Sequence, residues 1–124
     1  MKKLTTDQLA LRTEWTTALR SGKYQQTRGK LRDRTGYCCL GVLCDVSGEG
    51  KWSKDFMGIA DSYIVGNMED CAYLPPSEVK FATGMDGVSL EHMLPKMNDT
   101  YGDDFATIAD AIDLDTLMRQ DGCL

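Results

Sequence analysis

Residues 37–48 read "YCCLGVLCDVSG", and the class of the fold turns on whether this run is a helix or a core strand. Cys39, Val42, Leu43 and Val46 share one face at helical spacing, and Gly48 stands where a left-handed residue ends a helix. The unbroken apolar run "YCCLGVLC" also suits a strand buried on both faces. Spacing and stop together carry the helix over 38–48, with Cys39 as a small core residue.

Before this run lies "SGKYQQTRGKLRDRTG" (21–36), polar and without helical periodicity. It reads as a short strand or extended arm that turns at Asp33, with Gly36 available for a positive φ. Further back, Thr5 or Thr6 caps a helix over 7–21 whose stripe is Leu11, Trp15, Ala18 and Leu19, and Gly22 ends it. Arg12 and Glu14 fall off that stripe, so Trp15 anchors the core and both charges face water.

After Gly48, "SYIV" (62–65) and "CAYL" (71–74) flank "GNMED" in the manner of a hairpin. Two prolines and a glycine bracket a short helix in "PPSEVKFATG" (75–84), and "GMDG" (84–87) turns the chain. Leu90, Met93, Leu94 and Met97 keep helical spacing, but Pro95 predicts a kink or an early end. In "DDFATIADAI" (103–112) an aspartate caps a helix with the stripe Phe105, Ile108, Ala109 and Ile112. These elements predict one α+β domain over 1–124, about four helices packed on a short antiparallel sheet, with 118–124 a frayed tail.

The chain of 124 residues is too short for two independent cores. "MKKLTTDQ" turns polar where a signal peptide turns apolar, no long apolar run suits a membrane span, and five cysteines are an odd number with two adjacent. A cytosolic protein with reduced thiols is expected, and Asn98-Asp99-Thr100 then serves as a local turn and cap rather than a glycosylation site.

The net charge of −5 conceals two opposite parts. Residues 1–40 carry nine Lys or Arg against three Asp or Glu, and residues 41–124 carry five against sixteen. Such an asymmetry steers anionic partners, or the two parts attract each other within a screening length of about 8 Å.

No catalytic motif is decisive. Cys38, Cys39, Cys44, Cys71, Cys123 and His92 include no C-x-x-C and no H-x₃-H, so neither metal nor cofactor is expected. "DVSGEGKWS" (45–53) ends like a phosphate loop, but Asp45 replaces the first glycine and Trp52 the magnesium-binding hydroxyl. A cysteine enzyme using Cys38 or Cys39 with His92 is the alternative, since nearby basic residues or a helix N-terminus lower a thiol pKa. The basic arm is the leading candidate: Lys23, Arg28, Lys30, Arg32 and Arg34 interleave with Tyr24, Gln25, Gln26 and Tyr37, a mixture that grips phosphates and stacks on a planar base, and Arg28, Lys30, Arg32 and Arg34 share one face if the segment is extended. Tyr24, Gln26, Arg28, Lys30, Arg32, Arg34 and Tyr37 form the expected ligand site.

The blocks "WTTALRSGKYQQTRGKLR" (15–32), "YCCLGVLCDV" (37–46) and "MNDTYGDDFATIADAI" (97–112) resemble a widespread family of short bacteriophage and prophage proteins, in the pattern W-x3-LRSGxYxQxxGxLR, CCLGVLCD, MND and FxxIAD. The resemblance covers about half of the chain and brings no activity. It implies a non-enzymatic accessory role in the infected bacterial cytosol: countering host defence by capturing an anionic or nucleotide ligand, or by inhibiting a host protein. Neither a membrane nor duplex nucleic acid is the expected partner, and self-association stays open.

Overall fold

The computed structural model describes residues 3–66, 71–85 and 88–121. Among them the chain forms α1 (Thr6–Arg20), β1 (Arg32–Asp33), β2 (Gly36–Tyr37), α2 (Cys39–Ser47), β3 (Lys51–Ser53), β4 (Ser62–Ile64), α3 (Ser77–Ala82), α4 (Val88–Pro95), a π-helical turn (Lys96–Thr100) and α5 (Phe105–Asp121). The fold is α+β: five helices and two antiparallel sheets of two strands each. The helices pack mainly on one another, α1 against α5 and α2, rather than on a common sheet.

The run at 38–48 is helical. Cys38 is the N-cap, its sulfur accepting the Gly41 N–H at 3.4 Å, and Gly48 closes the helix at φ +65°. Every residue from Cys39 to Cys44 is buried, because α1, α3 and α4 cover α2 from different sides. Gly41 has no freedom to be anything larger: a Cβ there would lie 1.8 Å from the Leu31 carbonyl oxygen. The arm crosses α2 at that point, and Leu31 O also accepts the Cys38 N–H at 3.0 Å.

α1 begins with a capping box, Thr5 and Gln8 each bonding the other's backbone N–H. Trp15 is fully buried and donates its indole N–H to Cys39 O at 2.9 Å, tying α1 to α2. Arg12 does not face water as expected; it is 2% exposed. Its guanidinium donates to Thr83 O at 2.7 Å, Gly84 O at 3.2 Å, Asp115 Oδ2 at 2.8 Å and Thr116 Oγ1 at 2.9 Å. Burial lowers its pKa and Asp115 opposes that, so a buried charge is kept because each face of it finds an acceptor.

α5 starts where expected, with Asp104 Oδ1 accepting the Thr107 N–H at 2.8 Å, and it buries Phe105, Ile108, Ala109 and Ile112. It runs to Asp121 instead of stopping near Ile112, so residues 118–121 are helix and not tail. Gln120 Oε1 accepts the Leu4 N–H at 2.7 Å, and Arg119 bonds Gly84 O, which holds this last turn down. Pro95 is the last residue of α4, beyond which the chain changes to the π-helical turn.

The 62–65 hairpin is corrected. β4 pairs with β3 through Lys51↔Ile64, Trp52↔Tyr63 and Ser53↔Ser62, and only one bridge, Tyr63↔Cys71, joins it to the 71–74 segment. The buried Tyr63 decides this. Its ring meets Trp52 edge-on at 5.0 Å and its hydroxyl accepts the Gly50 N–H at 2.7 Å. Residues 67–70 of the expected turn, and 86 and 87 of "GMDG", lie outside the described residues.

Candidate functional site

The arm does not run extended from Arg28 to Arg34. It bends through 28–31 and makes its only regular pairing at β1 and β2, Arg32↔Tyr37 and Asp33↔Gly36, so the basic residues do not share a face by period two. Asp33 makes the turn, as expected: its Oδ1 accepts the N–H groups of Thr35 at 2.8 Å and Gly36 at 3.1 Å. Gly36 is needed for closeness rather than for a positive φ, since a Cβ would stand 2.2 Å from Gln25 O. Burial raises the Asp33 pKa, but bonds from Thr35, Thr27 and Gly36 outweigh it and hold the carboxyl below its ordinary value.

What holds the arm is Asn98. This side chain is 1% exposed. Its oxygen accepts from Gln26 Nε2 at 2.9 Å and from the Cys39 N–H at 3.2 Å, while its nitrogen donates to Thr27 O at 2.9 Å and Asp99 Oδ1 at 2.8 Å. Asp99 Oδ1 also accepts the Gly29 N–H at 2.9 Å. Asn98-Asp99 is therefore a long-range clamp between the π-helical turn, α2 and the arm, and not the local cap expected. Gln26, which also donates to Asp103 O at 2.9 Å, belongs to this clamp.

The other expected ligand residues divide. Tyr24 donates to Asp45 Oδ2 at 2.5 Å, and Trp52 Nε1 donates to Asp45 Oδ1 at 3.1 Å. Burial and Asp45 both push the Tyr24 pKa up. Tyr24, Tyr37, Trp52 and Tyr63 form a chain of edge-on rings 4.9, 5.9 and 5.0 Å apart. Arg32 lies over Trp52, 4.3 Å from the ring centre, and donates to Asp61 Oδ2 at 2.7 Å. It is a structural cation, as the intramolecular attraction of the two charged parts predicts. Arg20, bonded to both Asp110 and Asp113, is another. Lys30 is 3.8 Å from Asp33, and Arg28 is exposed beside Gly102.

Arg34 and Tyr37 line an open groove of about 430 Å³ with Lys23, Gln25, Arg32, Lys54 and the edge of the 55–61 loop. Tyr24, Gln26, Arg28 and Lys30 are not part of its lining. The groove's three carboxylates are occupied: Asp33 by the turn, Asp61 by Arg32 and the Asp55 N–H, and Asp55 by the N–H groups of Ala60, Met57 and Ile59, which lower its pKa. The side-chain cations of Lys23, Arg34 and Lys54 have no hydrogen-bond or ion-pair partner among the described residues, the Lys23 backbone N–H alone donating, to Ser21 Oγ at 3.1 Å. Lys23 belongs to the basic arm but stands outside its period-two series and outside the seven expected site residues, and Lys54 lies on another hairpin, twenty residues beyond Arg34 in the sequence.

The cysteine alternative finds no support in this geometry. Cys38 is buried and burial pushes its pKa to about 11; Cys39, fully buried, is pushed well above its ordinary value for the same reason. Their sulfurs engage Gly41 N and Leu94 O, and His92 is exposed. Cys38, Cys39 and Cys44 are free thiols. Among the described residues no group of three or more His, Cys, Asp or Glu is placed to hold a metal ion, and no helix is long and apolar enough to cross a membrane.

The sequence pattern of one family spans this architecture, matching residues 8–116 from α1 into α5. The chain belongs to DUF8296, a domain of unknown function. No curated protein and no solved structure matches it. The DUF8296 match takes in the arm, the Asn98-Asp99 clamp, the capped α2 and the whole groove.

Proposed function

We propose that this DUF8296 protein is a non-enzymatic phage accessory protein of the bacterial cytosol that captures a small anionic ligand, of the nucleotide class, in the groove between the arm and the 54–61 segment. One observation carries the reading: Lys23, Arg34 and Lys54 converge on the groove unpaired, while every carboxylate there is engaged by backbone or by Arg32. The lining carries four cations, Lys23, Arg32, Arg34 and Lys54, against the three carboxylates, so it is cationic by one charge although the chain is acidic, and a cleft of that sign concentrates an anion. Its volume suits a nucleotide-sized guest, and Tyr37 offers a ring beside the cations.

Titration calorimetry against linear and cyclic nucleotides tests this, with inorganic phosphate as the minimal probe. K23E/R34E should abolish binding and leave the thermal midpoint within a few degrees, because both side chains are exposed and unpaired. Failure of the wild-type protein to bind any of these anions, or undiminished binding by K23E/R34E, would overturn the reading.

A further inference from the structure

The segment Asp55–Ala60, "DFMGIA", exposes Phe56 at 98%, Met57 at 64% and Ile59 at 57%. Three large apolar side chains within four positions contribute almost nothing to the core. Their backbone is nevertheless fixed. The Asp55 carboxylate accepts the N–H groups of Met57 at 3.3 Å, Ile59 at 3.0 Å and Ala60 at 3.2 Å. Gly58 N–H donates to Asp55 O at 3.0 Å, and the Asp55 N–H donates to Asp61 Oδ1 at 2.8 Å. Asp61 is in turn anchored to Arg32 by its other oxygen and by its own N–H, which donates to Arg32 O at 2.8 Å. Five bonds thus hold an apolar tip outward, and its ordering entropy is already spent before any partner arrives.

From this tip we infer a protein-docking element: Phe56, Met57 and Ile59 insert into an apolar pocket on a partner protein, and carboxylates around that pocket pair with Lys54 and Arg34 beside the tip. An exposed aromatic on a rigid frame is the usual anchor of an interface, and peripheral charge pairs add rate and specificity. Charge complementarity selects the partner class. Lys54 and Arg34 are unpaired and next to the loop, the Arg34 side chain lying against Gly58. An anionic membrane would meet the whole molecule's charge of −5 as it approached, whereas an acidic rim of pocket size meets the patch in which Lys54, Arg34 and Arg32 outnumber Asp55 and Asp61. The surface shares Lys54 and Arg34 with the anion groove, but its apolar anchors Phe56, Met57 and Ile59 lie outside the groove lining, so docking does not require anion capture.

Replacing Phe56 with the photo-crosslinker p-benzoylphenylalanine in bacterial cells tests it. The expected result is one dominant protein adduct whose cross-linked segment is apolar and flanked by Asp or Glu. The adduct should be lost in a K54E background, and the purified partner should bind wild-type protein at least tenfold more tightly than F56D, with affinity falling as salt rises. Adducts only with a second copy of this chain, cosedimentation with phosphatidylglycerol vesicles in place of a protein adduct, or no adduct above background would each overturn the proposal. F56D should still bind the anions bound by the wild-type groove, so docking and capture fail separately.

Discussion

Replacing Asn98 with alanine should loosen the arm before anything else. Of the four hydrogen bonds this side chain makes, two have a backup: Gln26 keeps Asp103 O, and Asp99 keeps the Gly29 N–H. Two do not. The Cys39 N–H, in the first turn of α2, and the Thr27 carbonyl lose the bonds that Asn98 gives them. At about 1–3 kcal/mol for each buried group left unpaired, N98A should cost about 2–6 kcal/mol, a large share of the roughly 5–15 kcal/mol that holds an ordinary domain together. Urea denaturation followed by tryptophan fluorescence measures the loss, and limited trypsinolysis locates it, because Arg28 and Lys30 lie within the released arm. Asn98→Asp sharpens the test. It keeps the acceptor oxygen but puts a carboxylate against Asp99, so its folded-state pKa should be raised above the unfolded value. The penalty then sets in as pH rises above about 4 and is relieved as pH falls. A loss below about 1 kcal/mol in N98A, with no faster cleavage at Arg28, would refute the clamp.

Four further outcomes are expected. Arg12→Ala should cost about 3–5 kcal/mol in chemical denaturation, because Asp115 and two carbonyl oxygens lose a buried donor. Gly41→Ala should lose several kcal/mol, about 3 or more, or fail to give soluble protein, since its methyl carbon meets the Leu31 oxygen at 1.8 Å. Cys38, Cys39 and Cys44 should react with a disulfide reagent at neutral pH only as fast as the protein opens, burial having raised all three thiol pKa values; a fast-reacting thiol at Cys38 or Cys39 would revive the nucleophile. Asp33, Asp55 and Asp104 have lowered pKa values, so they stabilise the fold above the unfolded value near about 4 and that contribution is lost as pH falls through their folded values. Urea midpoints measured from pH 6 to pH 2 should show this fall, and Asp55→Ala should flatten it.

α1, α2 and α5 were legible in the sequence because each has a periodic stripe and a chemical signal at one end: the Thr5 cap that starts α1, Gly48 that ends α2 and the Asp104 cap that starts α5. What periodicity cannot show is a partner distant in the chain. Arg12 looks like a solvent-facing residue because the groups that justify its burial, Thr83, Gly84, Asp115 and Thr116, lie more than seventy residues away. The site divides in the same way. Arg34 and Tyr37 were readable from basic and aromatic composition, yet Gln26 and Arg32 have the same composition and are spent on Asn98, Asp103, Asp61 and Trp52. Lys23 and Lys54 join the groove only because the two hairpins lie side by side, held by the Arg32↔Asp61 bridge.

The close packing of α1 on α5 bears on how the chain comes to be folded during synthesis. Of these elements a ribosome releases α1 first and α5 last, so the face of α1 that packs on α5 waits for its cover until α5 is made, and Arg12 waits as long for Asp115 and Thr116. Contacts spanning about a hundred residues close late and slowly. A nascent chain stalled before α5 holds an open apolar face and an unsatisfied guanidinium, a species for chaperones and proteases rather than a working fragment. α5 must therefore leave the ribosome before α1 can pack as it does in the folded chain.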